Sequence, residues 1–173
     1  MFNISYIQKF SEKKLIDIQS SYSAVVFNAK DYSKKNQSDK LNVTNVDLVI
    51  SSGSLFILEN LKKIGWHNEC YFVDLVDYEF CLRSLINNLK IGECRNAPGF
   101  DHSSEQPDKE YQVMGRAVSL RSYALSRIVD TSKASLKLVA TSLLARQPKF
   151  ALLIVRSYTL YFVAQILARI KST

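Results

Sequence analysis

Acidic residues run out at Asp130. Residues 131–173 hold seven Lys and Arg and no Asp or Glu, whereas residues 1–130 hold sixteen of each sign. The net charge of +7 therefore belongs entirely to the last quarter of the chain. The neutral body also lacks the interleaving of basic and aromatic residues that tracks a phosphate backbone, so nucleic acid is not an expected partner. Cysteine is scarce. Cys70, Cys81 and Cys94 are odd in number and widely spaced, which argues against a disulfide framework and for a reducing compartment. His67, Cys70, Cys81 and Cys94 match no common zinc-finger spacing, and Cys81 sits in an apolar run, so zinc is not expected either. Three prolines and five glycines, against 47% apolar residues, exclude a collagen-like or disordered chain. The N-terminal stretch has no sustained apolar segment followed by a small-residue cleavage site, so a signal peptide is not expected. Repeats and low-complexity segments are absent.

What is present fits about one domain of 173 residues. Short β-branched runs predict strands at 23–29, 45–50, 70–73 and 90–94. Helical spacing predicts helices at 55–64, stopping at Gly65, and at 77–89. Residues 30–40 and 98–111 are polar and read as loops, and from about Gln112 the pattern is helical to the end. Strands alternating with helices through 23–95 predict an α/β fold around a small sheet of three or four strands.

The densest chemistry lies in 66–83. Asp74, Asp77 and Glu79 fall within six residues, between a strand and a helix, where ligands of open α/β sheets bind. Two readings stand on the residues alone. Asp74 or Asp77 can cap the helix and complement its dipole, and Glu79 with Arg83 makes an i, i+4 pair of about 0.2–0.5 kcal/mol. Alternatively, the acids do acid–base work on a ligand. Trp66 and Tyr71 offer ring faces for a sugar or for the core. Gly53 allows close backbone approach or simply turns the chain.

Four ordered blocks carry a resemblance. Ile50-Ser51-Ser52-Gly53-Ser54-Leu55, then Ile64-Gly65-Trp66, then Glu69-x-Tyr71-Phe72-Val73-Asp74-x-Val76-Asp77-x-Glu79-Phe80-Cys81-Leu82-Arg83 resemble the second half of a family 2 glycosyltransferase of the rhamnosyltransferase-like branch. Pro98-Gly99-Phe100-Asp101-His102 resembles that branch's histidine after the last strand, and Arg121-Ser122-Tyr123-Ala124-Leu125-Ser126-Arg127 its arginine–tyrosine–arginine helix. The likeness covers about residues 23–130. It implies the acceptor-side part of a GT-A fold, with residues 131–173 as a helical extension. The implied reaction is an inverting transfer of a sugar, rhamnose in that branch, from a nucleotide-sugar to a glycan acceptor in cell-surface polysaccharide synthesis. Asp77 matches the general base, which takes a proton from the attacking hydroxyl. Gly53, Ser54, Trp66, Asp74 and Glu79 are implied substrate contacts, and His102 approaches the metal or diphosphate. The family's divalent metal (Mg or Mn) is held by an Asp-x-Asp, and no Asp-x-Asp occurs in this sequence. The chain is therefore expected to be a truncated product or one part of a split enzyme, inactive alone and paired with a separate nucleotide-binding half. A non-catalytic remnant or accessory module, binding a partner chain or a membrane, is the rival expectation.

The tail has its own logic. Residues 132–146 put Leu136, Val139 and Leu143 on one helical face and Lys133 and Lys137 on another. Pro148 separates this helix from a second over 149–171. The longest uncharged run there is twelve residues, short of the roughly 20 that span a bilayer. Arg156 interrupts it, at about 2.5–3.5 kcal/mol if placed centrally. An interfacial helix pair is expected, with Lys133, Lys137, Arg146, Lys149 and Arg156 facing an anionic membrane and the protein peripheral at the cytoplasmic face. The acceptor would then be lipid-linked. A helical hairpin packed on protein is the alternative.

Overall fold

A computed structural model describes residues 10–27, 42–50, 53–71, 75–95, 109–113, 116–120 and 122–170. They fall into two compact units. The first carries α1 (Glu12–Ser21), β1 (Tyr22–Phe27), β2 (Val43–Val46), β3 (Ser54–Phe56), α2 (Leu58–Ile64), α3 (Val76–Ile86) and β4 (Lys90–Cys94). The second carries β5 (Lys109–Val113), β6 (Arg116–Leu120), α4 (Leu125–Leu144) and α5 (Pro148–Ile170). The chain is α/β, as its sequence predicts.

The sheet of the first unit is mixed, in the order β2-β4-β1-β3. Strand β1 runs parallel to β4 and antiparallel to β3, and β2 runs antiparallel to β4. Strand β1 is buried along its whole length, which explains its unbroken apolar run. It feeds two clusters. Val25 and Phe27 join Phe10, Ile18 of α1, Val43 and Cys94, whereas Ala24 joins Leu61 and Ile64 of α2 and Phe80 of α3. Asn60, fully buried, ties α2 to the end of α1 by donating to Gln19 O (2.9 Å) and Tyr22 O (2.8 Å). Gly92 is required where β2 and β4 meet: a Cβ there would lie 2.4 Å from Val43 Cγ1.

Several sequence expectations need correction. Residues 54–56 form a strand, not a helix start, because they pair with β1 and alternate: Leu55 and Ile57 pack on the first cluster, Phe56 on the second. The second strand lies at 43–46 and not 45–50. Residues 70–71 are a turn, and 72–73 lie outside the described residues. Helix α3 stops at Ile86, three residues early, because Asn88 adopts φ +56° while Leu89 N bonds to Ser84 O. Helix α1 was not predicted. Ser11 caps it by accepting from Lys14 N (3.3 Å).

The largest correction concerns the start of the helical region, expected from about Gln112. Lys109–Val113 and Arg116–Leu120 are instead strands β5 and β6, paired antiparallel from Lys109↔Leu120 to Val113↔Arg116. Helix α4 accordingly begins at Leu125, and residues 130 and 131 both lie inside it. Arg146 sits at φ +57°, with Arg146 N bonding to Leu143 O and Gln147 N to Ser142 O. This is a left-handed helix stop of the kind usually made by glycine. Pro148 then opens α5, where its missing N–H is no loss.

Candidate active site

Asp77 is the second residue of α3, so it lies within the helix's first turn rather than at the cap. A carboxylate is favoured there by the helix dipole. Its Oδ1 is buried and has no hydrogen-bond partner among the described residues. The nearest opposing group is His67 Nε2 at 3.9 Å, which is also buried and makes no hydrogen bond among the described residues. Ser54 Oγ, on the β3 face that carries Phe56, is a third such atom. A buried polar atom left unmatched costs about 1–3 kcal/mol, and Asp77 and His67 present two such atoms 3.9 Å apart.

The surroundings are aromatic. The His67 ring lies near-parallel to Phe80 (centroids 5.2 Å) and to Trp66 (6.4 Å), with Phe56 edge-on to it at 5.6 Å. Trp66 is 60% exposed although Phe56 packs against one edge. A shallow pocket of about 280 Å³ opens beside it, lined by Leu58, Leu61, Lys62 and Gly65, and does not reach Asp77.

Arg83 holds this arrangement. It donates through Nη1 to Ile64 O and through Nη2 to Trp66 O (2.7 Å), fixing the segment that delivers Trp66 and His67. Glu79 in turn accepts from Arg83 Nε (3.0 Å) and Nη2 (2.8 Å). Glu79 is buried, and both its oxygens serve Arg83. It positions the site rather than reaching into it. Gly65, at φ +80°, is the turn that Arg83 braces, and a Cβ there would come within 3.0 Å of Arg83 Nη1.

Gly53 makes the turn into β3 at φ +75° and accepts from Phe27 N (3.3 Å). Asp74 and His102 lie outside the described residues. Cys81, one turn beyond Asp77, is buried, and that burial pushes its thiol up to about 12, with the Asp77 charge adding to the rise. Cys94 is buried and Cys70 exposed. His67, weighed in the sequence only as a zinc ligand, is the site residue that sequence reasoning missed. Nothing in the spacing of 67 and 77 joins them; Arg83, on the same helix as Asp77, holds the carbonyls of Ile64 and Trp66 just ahead of His67.

Against known proteins, the chain matches no family model, no curated protein and no solved structure. The family resemblance therefore rests on the motifs alone. Among the described residues, which do not include His102, no group of three or more His, Cys, Asp or Glu stands close enough to hold an ion.

Arg121, expected to join the arginine–tyrosine–arginine helix, lies outside the described residues. Tyr123 instead belongs to the second unit's helix pair. Its N donates to Gln165 Oε1 (2.9 Å), its carbonyl accepts from Arg169, and Arg127 lies 4.0 Å over its ring.

Proposed function

We propose that the chain supplies the acceptor side of an inverting glycosyltransferase of GT-A type, with Asp77 as general base. The observation that carries this reading is the buried, unmatched Asp77 Oδ1 facing His67 Nε2 at 3.9 Å, beside an exposed Trp66. In the proposed step a glycan hydroxyl attacks the anomeric carbon of a nucleotide-sugar. The new C–O bond forms as the bond to the diphosphate oxygen breaks, and the hydroxyl proton passes to Asp77. His67 Nε2, 3.9 Å away, stands where an N–H can donate to the carboxylate, or where the neutral ring can take on the proton once Asp77 has accepted it. Trp66 lends an apolar ring face to the acceptor sugar, with Ser54 and Gly53 at the same edge. The Glu79–Arg83 pair keeps Trp66 and His67 in register. The nucleotide-sugar, a rhamnose donor by the resemblance, is held by a separate nucleotide-binding half that carries the Asp-x-Asp and its metal. The chain alone is then silent in transfer.

The test is transfer from a radiolabelled nucleotide-sugar to glycan acceptors by the chain, alone and together with the nucleotide-binding half of a family 2 enzyme. Asp77→Asn lowers transfer by the paired halves by about a hundredfold or more. Undiminished transfer by Asp77→Asn ends the assignment, and transfer by the chain alone ends the two-part scheme.

A further inference from the structure

The helix pair of the second unit carries apolar side chains on both its inner and its outer side. Ile128, Leu138, Phe150 and Ile154 are buried together with Thr131, Ser135, Ser142 and Gln165, and Ser132 Oγ meets Tyr158 Oη at 2.8 Å. Further apolar side chains face outward. Leu136 and Leu152 are each 70% exposed, and Val129, Leu143, Val155 and Phe162 are exposed as well. The sequence shows an apolar stripe on α4 but not which way it faces, whereas α5 is apolar around most of its circumference.

Helical periodicity places these residues. At 3.6 residues per turn, Val129, Leu136 and Leu143 form one stripe along α4, and Leu152, Val155 and Phe162 form one along α5. Each stripe lies about a third of a turn from its helix's seam, in the same rotational sense. Contacts from Tyr123 to Gln165 and from Ser132 to Tyr158 show that the helices run antiparallel, so the two stripes open on the same side of the pair. By the same periodicity Lys133 on α4, and Lys149 and Arg156 on α5, lie away from the partner helix and flank the joint face on both sides, with Leu160 continuing the apolar exposure of α5 beyond Arg156. No acid follows Asp130 to oppose them.

We propose that this face docks on an anionic lipid bilayer, with both helices lying flat in the interface. The occupant follows from charge and shape together. A broad apolar strip edged by cations on two sides complements an acyl surface rimmed by anionic headgroups. Helix α5, at 23 residues, is long and apolar enough by length and composition to span a bilayer, although its longest uncharged run is shorter than a span. The level of the charges argues for the flat orientation. The Ser132–Tyr158 contact sets Lys133 beside the level of Arg156, which lies three residues from the middle of α5. Upright, both cations would sit near the bilayer centre; flat, they reach headgroups along the edges. This inference stands independently of the transferase reading.

The experiment uses the full chain with sedimenting vesicles. Binding to phosphatidylglycerol–phosphatidylcholine vesicles exceeds binding to pure phosphatidylcholine by about tenfold or more and weakens with salt. Lys133→Gln and Arg156→Gln each lower affinity by roughly fivefold. Leu136→Glu with Phe162→Glu abolishes binding while the lipid-free unfolding midpoint stays put. Depth is read with brominated lipids in a Trp66→Phe background, which removes the only native tryptophan. Leu152→Trp, Thr159→Trp and Ile166→Trp are quenched at one shallow depth. Equal binding to both vesicle types, binding that survives the Leu136/Phe162 change, or a quenching depth that passes through the bilayer centre along α5 would each overturn the proposal. So would a lipid-free dimer that the same double change dissolves, since the face would then belong to a second copy.

Discussion

The two compact units divide their apolar side chains differently. In the first, Val25, Leu82 and Ile91 are sealed inside, and polar groups enter the interior only with partners or at the Asp77 site. In the second, Leu138 and Ile154 are sealed inside too, but they share that interior with Ser135, Ser142 and Gln165, while Leu136, Leu144 and Leu152 stand outside. Apolar burial stabilises both units; in the second, much apolar surface is left available to a surface the fold does not contain. Backbone logic is shared, since both units end helices on a left-handed residue, Asn88 in one and Arg146 in the other.

Matched deletions are the strongest way to break this contrast. Leu82→Ala removes a side chain that is 1% exposed and costs about 3 kcal/mol, whereas Leu136→Ala, at 70% exposure, stays within about 0.5 kcal/mol without lipid. Urea unfolding of both variants checks this, and equal losses would show that the hairpin's apolar face is packed after all. Charged residues should divide the same way. Arg83→Met frees two backbone carbonyls and leaves Glu79 buried without its cation, for a loss of about 3 kcal/mol. Arg156→Met on the hairpin edge stays within about 0.5 kcal/mol.

A third difference is in pH response. Burial raises the Cys81 thiol from 9.0 to about 12 in the folded state, so the native fold favours the neutral form. That contribution is intact below about pH 9 and is lost as pH rises toward 12. Comparing wild type with Cys81→Ala at pH 7 and pH 10, wild type should lose roughly 1 kcal/mol more over the interval. Parallel pH curves would put Cys81 nearer solvent. The smallest expected effect is a gain. Arg146→Gly relieves the φ +57° backbone between α4 and α5 and should raise stability by about 0.5–1 kcal/mol, read as a higher urea midpoint.

Legibility in the sequence followed the same divide. In the first unit, the strand at 90–94, the helix through 77–86 and the early strand all surface in periodicity, because each buries a coherent face. The 54–56 strand did not, since three residues are too few to establish a period and only pairing with β1 defines it. In the second unit the β5–β6 hairpin escaped notice although Tyr111 and Val113, and likewise Val118 and Leu120, alternate with polar neighbours; each run is shorter than a helical window. Asp77 could be picked out by its place before a helix. His67 could not, because its approach depends on carbonyls held by Arg83. The α4 stripe was legible, but its direction depends on which residues the partner helix covers.

The most direct test of the site is the fluorescence of Trp66, the chain's single tryptophan, 60% exposed beside the Asp77–His67 pair. Titrating the chain with glycan-acceptor oligosaccharides should shift and quench its emission saturably. The response should weaken in His67→Ala, while a nucleotide-sugar alone leaves the emission unchanged. Emission that ignores every oligosaccharide, or that responds to the nucleotide-sugar instead, would contradict an acceptor site at this edge of the sheet.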